Sequence, residues 1–240
     1  MSPSLLSVEA QTYSVLGETV ALQRDRRVFS PSSHGLSFGR ILKIQPGETC
    51  VDIGCGSGIF AVAAAMKGAA VLAIDPNEHA LRMTQENAEL NDVSVATRQG
   101  FFFAGLRRQF DVIIANLPQD IVPPDGLSRL TDEQHLAIVG GPLGDDAIRD
   151  LLSVAPDHMH TQSRLYVPVY TGARYAETEK MIRKSFDITK RRTSTVECKP
   201  HVSDNIDFYR DLLRDGTIDI FQRNKKWSAH QFEYELKRKK

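Results

Sequence analysis

Cysteine is scarce in this chain: Cys50, Cys55 and Cys198 are all there is among 240 residues. An odd, sparse set without metal-ligand spacing argues against a disulfide framework and suits a reducing compartment, so the three read as small buried residues without chemistry. Charge of one sign is also lacking, since 30 Lys/Arg balance 30 Asp/Glu, and the chain as a whole exerts no long-range pull on a polyanion. No apolar run is long enough to span a bilayer; the longest, residues 61–74, is broken by Lys67 and Gly68. Residues 1–9 show no basic stretch followed by a sustained apolar core. A soluble, cytoplasmic protein with no membrane partner is expected. Internal repeats and low-complexity linkers are missing, and the histidines show no metal spacing, so no metal site is expected.

What is present is ordinary globular material, 41% hydrophobic and 25% charged, enough for one α/β domain with small additions. The ten residues 51–60 are its most informative run. Val51 to Ile53 reads as the end of a buried strand, Gly54-Cys55-Gly56-Ser57-Gly58 as a turn that needs backbone freedom and room for a ligand, and Ile59 onward as an apolar helix. A nucleotide-like ligand is expected there. The glycines fall at 54, 56 and 58, with Asp52 two residues before the first, which is not the G-x-G-x-x-G of dinucleotide enzymes. Asp75 ends the next apolar run, 21 residues after Gly54, where a strand-end carboxylate meets a ribose and accepts from both hydroxyls of its diol.

On these residues the chain resembles the class I S-adenosylmethionine-dependent methyltransferases. The resemblance implies that Asp52 helps hold the cationic methionyl end of the cofactor, a charge-assisted contact worth roughly 1.5–3 kcal/mol. Gly54, Cys55, Gly56 and Gly58 would carry the cofactor turn, and Asp75 and Pro76 the ribose side. Gly100 and Phe101 would lie by the adenine; Phe101 and Phe102 either sandwich that ring or belong to the core.

Strands at Thr49–Ile53, Ala70–Asp75, 93–98, 110–116 and 164–170 alternate with helices at 58–67, 77–91, 145–154 and 175–186. That alternation predicts a doubly wound, Rossmann-like parallel sheet. The family's architecture has seven strands with an antiparallel last pair, and the β-rich segments 186–196 and 218–223 suit that pair, with a short helix at 204–214 between them. Residues 1–47 read as an N-terminal segment leading into the fold, with a helical apolar pattern in Leu36, Phe38, Ile41 and Leu42; 48–223 as the methyltransferase domain; and 224–240 as a basic tail. Residues 223–240 hold seven Lys/Arg against two Glu, with Trp227, Phe232 and Tyr234 interleaved, and read either as a grip on RNA or an acidic protein or as a solvated end.

The loop after the fourth strand, Asn116-Leu117-Pro118-Gln119, should face the first. It resembles the Asn-Pro-Pro-Tyr loop of HemK-type release-factor glutamine methyltransferases and of small N-methyltransferases. Phe29-Ser30-Pro31-Ser32-Ser33 and the Gly140-Gly141-Pro142-Leu143-Gly144 turn resemble flanking segments of that branch. Asn116 to Gln119 are therefore expected to orient a methyl-accepting nitrogen, leaving S-adenosyl-L-homocysteine as product. Leu117 replaces a proline and Gln119 the stacking aromatic, so the acceptor is expected to be more polar or less planar, or to borrow Phe29 or Tyr170. A small metabolite or peptide amine or amide ranks first as acceptor, protein glutamine second and RNA third. A non-catalytic cofactor-binding scaffold acting through the tail is the reading from another class. His34 lies where a base or cofactor contact would be.

Overall fold

Where Val, Ile and Ala run uninterrupted, strands form that are covered on both faces, and the amphipathic stretches between them supply the covering helices. The computed structural model describes residues 10–103 and 105–239; residues 1–9 and Lys240, read above as parts of the N-terminal segment and the tail, lie outside the described residues. The chain opens with a hairpin, β1 (Gln11–Val15) and β2 (Glu18–Leu22), followed by α1 (Ser33–Phe38). Then come β3 (Thr49–Ile53), α2 (Ile59–Met66), β4 (Ala70–Asp75), α3 (Glu78–Leu90), β5 (Ala96–Gln99) and β6 (Phe110–Ala115). Two short helices, α4 (Pro124–Leu127) and α5 (Asp132–Ile138), precede α6 (Asp146–Val154) and β7 (Met159–Tyr170). The rest is α7 (Tyr175–Ser185), β8 (Phe186–Glu197), α8 (Pro200–Asp204), α9 (Ile206–Arg214), β9 (Ile220–Arg223) and β10 (Lys226–Arg238).

The main sheet runs β5-β4-β3-β6-β7-β10-β8, with β9 paired to β10. The pairs among β5, β4, β3, β6 and β7 are parallel, and β10 runs antiparallel to both β7 and β8. The expected doubly wound sheet with an antiparallel end is there, with eight strands in place of seven. Alternation along the strands divides the core: Cys50, Val112 and Ile114 face α2 and α3, whereas Val51, Ile53, Ile113 and Leu165 face the side of α6.

Two expectations are corrected. Residues 226–238, read as a tail, are β10, a strand paired on both sides, by β7 and β8, whose Ala229, Tyr234 and Leu236 are fully buried. The 218–223 segment contributes only β9, so the long antiparallel partner of β8 is β10. Among the described residues, the cationic ones of that stretch cluster at the strand's two ends, outside its buried middle. Asn224 and Lys225, both at positive φ, make the two-residue turn that folds β9 back on β10. The N-terminal hairpin is the other addition. It packs on α2 and α3, where the Asn91 amide both accepts from Ala21 N–H (2.9 Å) and donates to its carbonyl (2.7 Å).

Candidate functional site

Because β3, β4, β5 and β6 are parallel, the loops leaving their carboxyl ends open at one rim of the sheet. They enclose a cavity of about 340 Å³, roofed by residues 28–36 and by α5. Gly54, Cys55, Gly56, Asp75, Pro76, Gly100, Phe101, Asn116, Leu117 and Pro118 all line it. Ten of the thirteen residues singled out from the sequence thus meet at one place; Asp52, Gly58 and Gln119 do not reach it.

Asp75 enters the cavity held from behind. Its Oδ2 accepts from Gly56 N–H at 3.0 Å and its Oδ1 from Asn77 N–H at 2.9 Å, which fixes the carboxylate while each oxygen keeps a lone pair for a ligand hydroxyl. Burial raises its pKa, against the lowering effect of those two N–H groups. Gly56 presents bare backbone to the cavity, with Phe29 O at 3.8 Å the nearest atom to a hypothetical Cβ.

Asp52 lies behind the turn, 1% exposed. The alternation of β3 turns it towards α2, where its Oδ2 accepts from Ala61 N–H at 3.1 Å. It thereby satisfies a first-turn donor that the α2 cap, Gly58, has no side chain to reach. Burial, countered by that one N–H and reinforced by the charge of Asp75, pushes its pKa up to about 7. Gly58 serves packing: a Cβ there would sit 2.8 Å from Thr84 Oγ1 and 3.0 Å from Thr84 Cα, so α3 could not approach α2. Cys55 reaches the cavity, yet burial drives its thiol pKa well up, which keeps it protonated.

Gln119 points away from the cavity, into the sheet. Its Nε2 donates to Pro168 O at 3.0 Å and its Oε1 accepts from Tyr170 N–H at 2.9 Å. The last β6–β7 pair is Ile114 with Tyr166, so the Gln119 amide completes the β7 backbone where β6 has ended. Contact of Gln119 with an acceptor is therefore corrected, and Tyr170 is no substitute aromatic, being buried with its hydroxyl on Cys198 Sγ. Phe29 does line the cavity, 40% exposed.

The phenylalanine triplet separates by role. Phe101, 64% exposed, and Phe102 line the cavity, while Phe103 is core, stacked on His158 and Phe110. His34 is a structural anchor of α1; its Nε2 contacts Glu197 O at 2.9 Å and burial lowers its pKa. Sequence reasoning missed α5, which brings Glu133, Leu136 and Ala137 to the cavity. A capping box, Thr131 with Gln134, marks its start and was legible in principle.

Comparison with known proteins agrees with this fold. The chain superposes on a ribosomal protein L11 methylase from Lactobacillus delbrueckii subsp. bulgaricus with a TM-score of 0.53 at 20% identity, covering 89% of this chain and 82% of that one. It also superposes on a tRNA (uracil-54, C5)-methyltransferase from Pyrococcus abyssi, solved with S-adenosyl-L-homocysteine, at a TM-score of 0.55 and 15% identity, covering 95% and 44%. The fold is the Rossmann-like methyltransferase fold. Within this methyltransferase fold, residues 39–141, from the end of α1 past α5, match the family model for ribosomal protein L11 methyltransferase (PrmA). A relative with that description from Caldicellulosiruptor saccharolyticus is 44% identical over 80 residues, 33% of this chain and 26% of its own length. Another from Thermotoga neapolitana is 26% identical over 172 residues, 62% and 65%. The chain thus spans less than two thirds of the length of these curated relatives, and the matched part holds β3 to β6 with all their cavity loops.

Proposed function

We propose that this chain is an S-adenosylmethionine-dependent methyltransferase acting on a nitrogen of a protein, with ribosomal protein L11 as the first acceptor to test. One observation carries the reading: the Asp75 carboxylate and glycine turn share a single cavity with the Asn116 loop. The similarity to L11 methyltransferases favours a protein acceptor over the small metabolite ranked first from sequence, and does not single out the HemK-type branch.

The residues present fit the cofactor. The cavity lies within the range of small-molecule sites, roughly 300–1,000 Å³. Asp75 offers two anchored oxygens to a diol, Gly56 lets a ligand approach the backbone, and Phe101 and Phe102 offer apolar faces for a base. When bound, S-adenosylmethionine supplies the methyl group and a sulfur leaving group. The chain's task is alignment: the acceptor nitrogen must present its lone pair in line while its N–H groups find acceptors. Asn116 Oδ1 and the Leu117 carbonyl are suited to accept them, and Pro118 stiffens the loop without adding a donor.

Calorimetry with S-adenosylmethionine followed by labelled-methyl transfer to purified L11 tests this. Asp75→Ala is expected to weaken cofactor binding at least tenfold, the scale of losing charge-assisted hydrogen bonds, and Asn116→Ala to slow transfer about 100-fold with binding retained. No binding by wild type overturns the reading. Binding with no label in L11, or in any protein, RNA or small-molecule fraction of a cell extract, leaves only the scaffold alternative.

A further inference from the structure

Helix α1 contains a residue that helix formation gives it no reason to contain. Gly35 sits inside it, buried and without the positive φ that would demand glycine, and alanine is the better helix former at such a position. Ser32 already caps the helix through Gly35 N–H at 3.2 Å, so turn chemistry does not require glycine either.

The reason lies across the cavity wall. A Cβ on Gly35 would stand 3.1 Å from Asn116 Nδ2, but 3.8 Å from Ser32 Oγ and 3.9 Å from Phe60 Cζ. Only the Asn116 amide is too close, and it is the end of a side chain that can rotate away without disturbing α1. Filling this position therefore leaves the helix intact and moves the one amide said above to orient the acceptor. We propose that Gly35 is a positioning residue for Asn116: its missing side chain leaves the amide the room to take the angle that transfer requires. The inference rests on the proposed role of Asn116 and extends it to a residue of another element.

The test is Gly35→Ala, alone and combined with Asn116→Ala. Near-attack geometry is steep in position, with about 1 Å of misplacement worth on the order of 100-fold, so a displacement of a few tenths of an ångström is expected to slow transfer to L11 about tenfold. The thermal midpoint should not fall, and calorimetric affinity for S-adenosylmethionine should stay within about threefold. The double variant should be no slower than Asn116→Ala alone, because the alanine has no amide left to misplace. A crystal structure or the side-chain amide NMR signal of Gly35→Ala should show the Asn116 amide moved.

Wild-type turnover in Gly35→Ala, losses that multiply in the double variant, or an unmoved Asn116 amide would each overturn the inference. If instead Asn116→Ala turns over normally, the proposed role of Asn116 falls and Gly35 loses its purpose with it. If wild type binds cofactor but does not label L11, the acceptor assignment falls, and the position of the Asn116 amide alone decides the inference.

Discussion

Asp52 holds a carboxyl group in a space closed to solvent, with a single N–H to stabilise its charge, and that combination has a definite sign. Its pKa is about 7 in the folded protein and 3.8 when the chain is open to water. Below 3.8 both states are protonated and folding is not penalised. Between 3.8 and 7 the unfolded chain gives up a proton that the folded one keeps, so stability falls as pH rises, and the full penalty is present above 7. The size of the rise caps that penalty at about 4 kcal/mol. Asn would still accept from Ala61 N–H but would not titrate. Denaturation at pH 5 and pH 8 should therefore show wild type losing stability at the higher pH and Asp52→Asn losing much less. Asp52 does not reach the cavity, so the contact with the cationic methionyl end that the resemblance implied is corrected, and affinity for S-adenosylmethionine is expected to change by less than about threefold in Asp52→Asn at pH 8, well below the loss of a charge-assisted hydrogen bond. An affinity roughly tenfold weaker would instead restore Asp52 to cofactor binding. The acid's presence beside the glycines was legible; its direction followed from the alternation that sets Val51 and Ile53 on the opposite face, a constraint the family resemblance obscured.

At the scale of elements, Gln119 acts as one more residue of β6. A side-chain amide can accept and donate like a peptide group, and here it meets the carbonyl of Pro168 and the N–H of Tyr170, the two groups that a longer β6 would have paired. Gln119→Ala strands both, and each buried unpaired group costs about 1–3 kcal/mol. The variant should unfold at clearly lower denaturant, by about 2–5 kcal/mol, with any activity loss following the loss of folded protein. A raised KM at unchanged stability would instead restore Gln119 to acceptor binding. Local signals were what the sequence carried well. The strand ends, the glycine turn and Asp75 are each encoded within a few residues, and Gly54, Gly56 and Asp75 line the cavity. Gln119 was misread because its partners lie 49 and 51 positions away. Strand β10 was misread for a related reason: His230, Gln231, Glu233 and Glu235 give its middle a polar look that only the partners across the sheet explain.

Glu233 shows how the whole molecule accommodates that polarity. It is 0% exposed on β10, between β7 and the edge strand β8, and it gathers donors from three elements. Ser37 Oγ and Ser194 Oγ donate to Oε1 at 3.0 and 2.9 Å, Gln231 Nε2 at 3.3 Å, and Arg192 of β8 pairs with Oε2. Arg192 also donates to Ser37 O at 3.1 Å, and Gln231 Nε2 to His34 O at 3.0 Å, so the same cluster clamps α1 onto β8 and β10. Through Ser32, Gly35 and Leu36, α1 forms part of the cavity wall, which couples this buried charge to the shape of the site. Removing only the cation is the informative change. Arg192→Met keeps the aliphatic stem but leaves the carboxylate buried without its counter-charge, a loss of 3–5 kcal/mol for fully enclosed pairs. Because the Arg192 side chain is 32% exposed and water can partly replace it, about 2–3 kcal/mol is expected. Hydrogen exchange should localise the effect, with the amides of Leu36 in α1 and of Gly39 at its C-terminal cap exchanging faster while those of β3 and β6 keep their protection. Cofactor affinity should fall in parallel with the loosening of α1. Protection of α1 equal to wild type, with affinity unchanged, would mean that apolar contacts alone seat the helix and that Glu233 only completes the sheet.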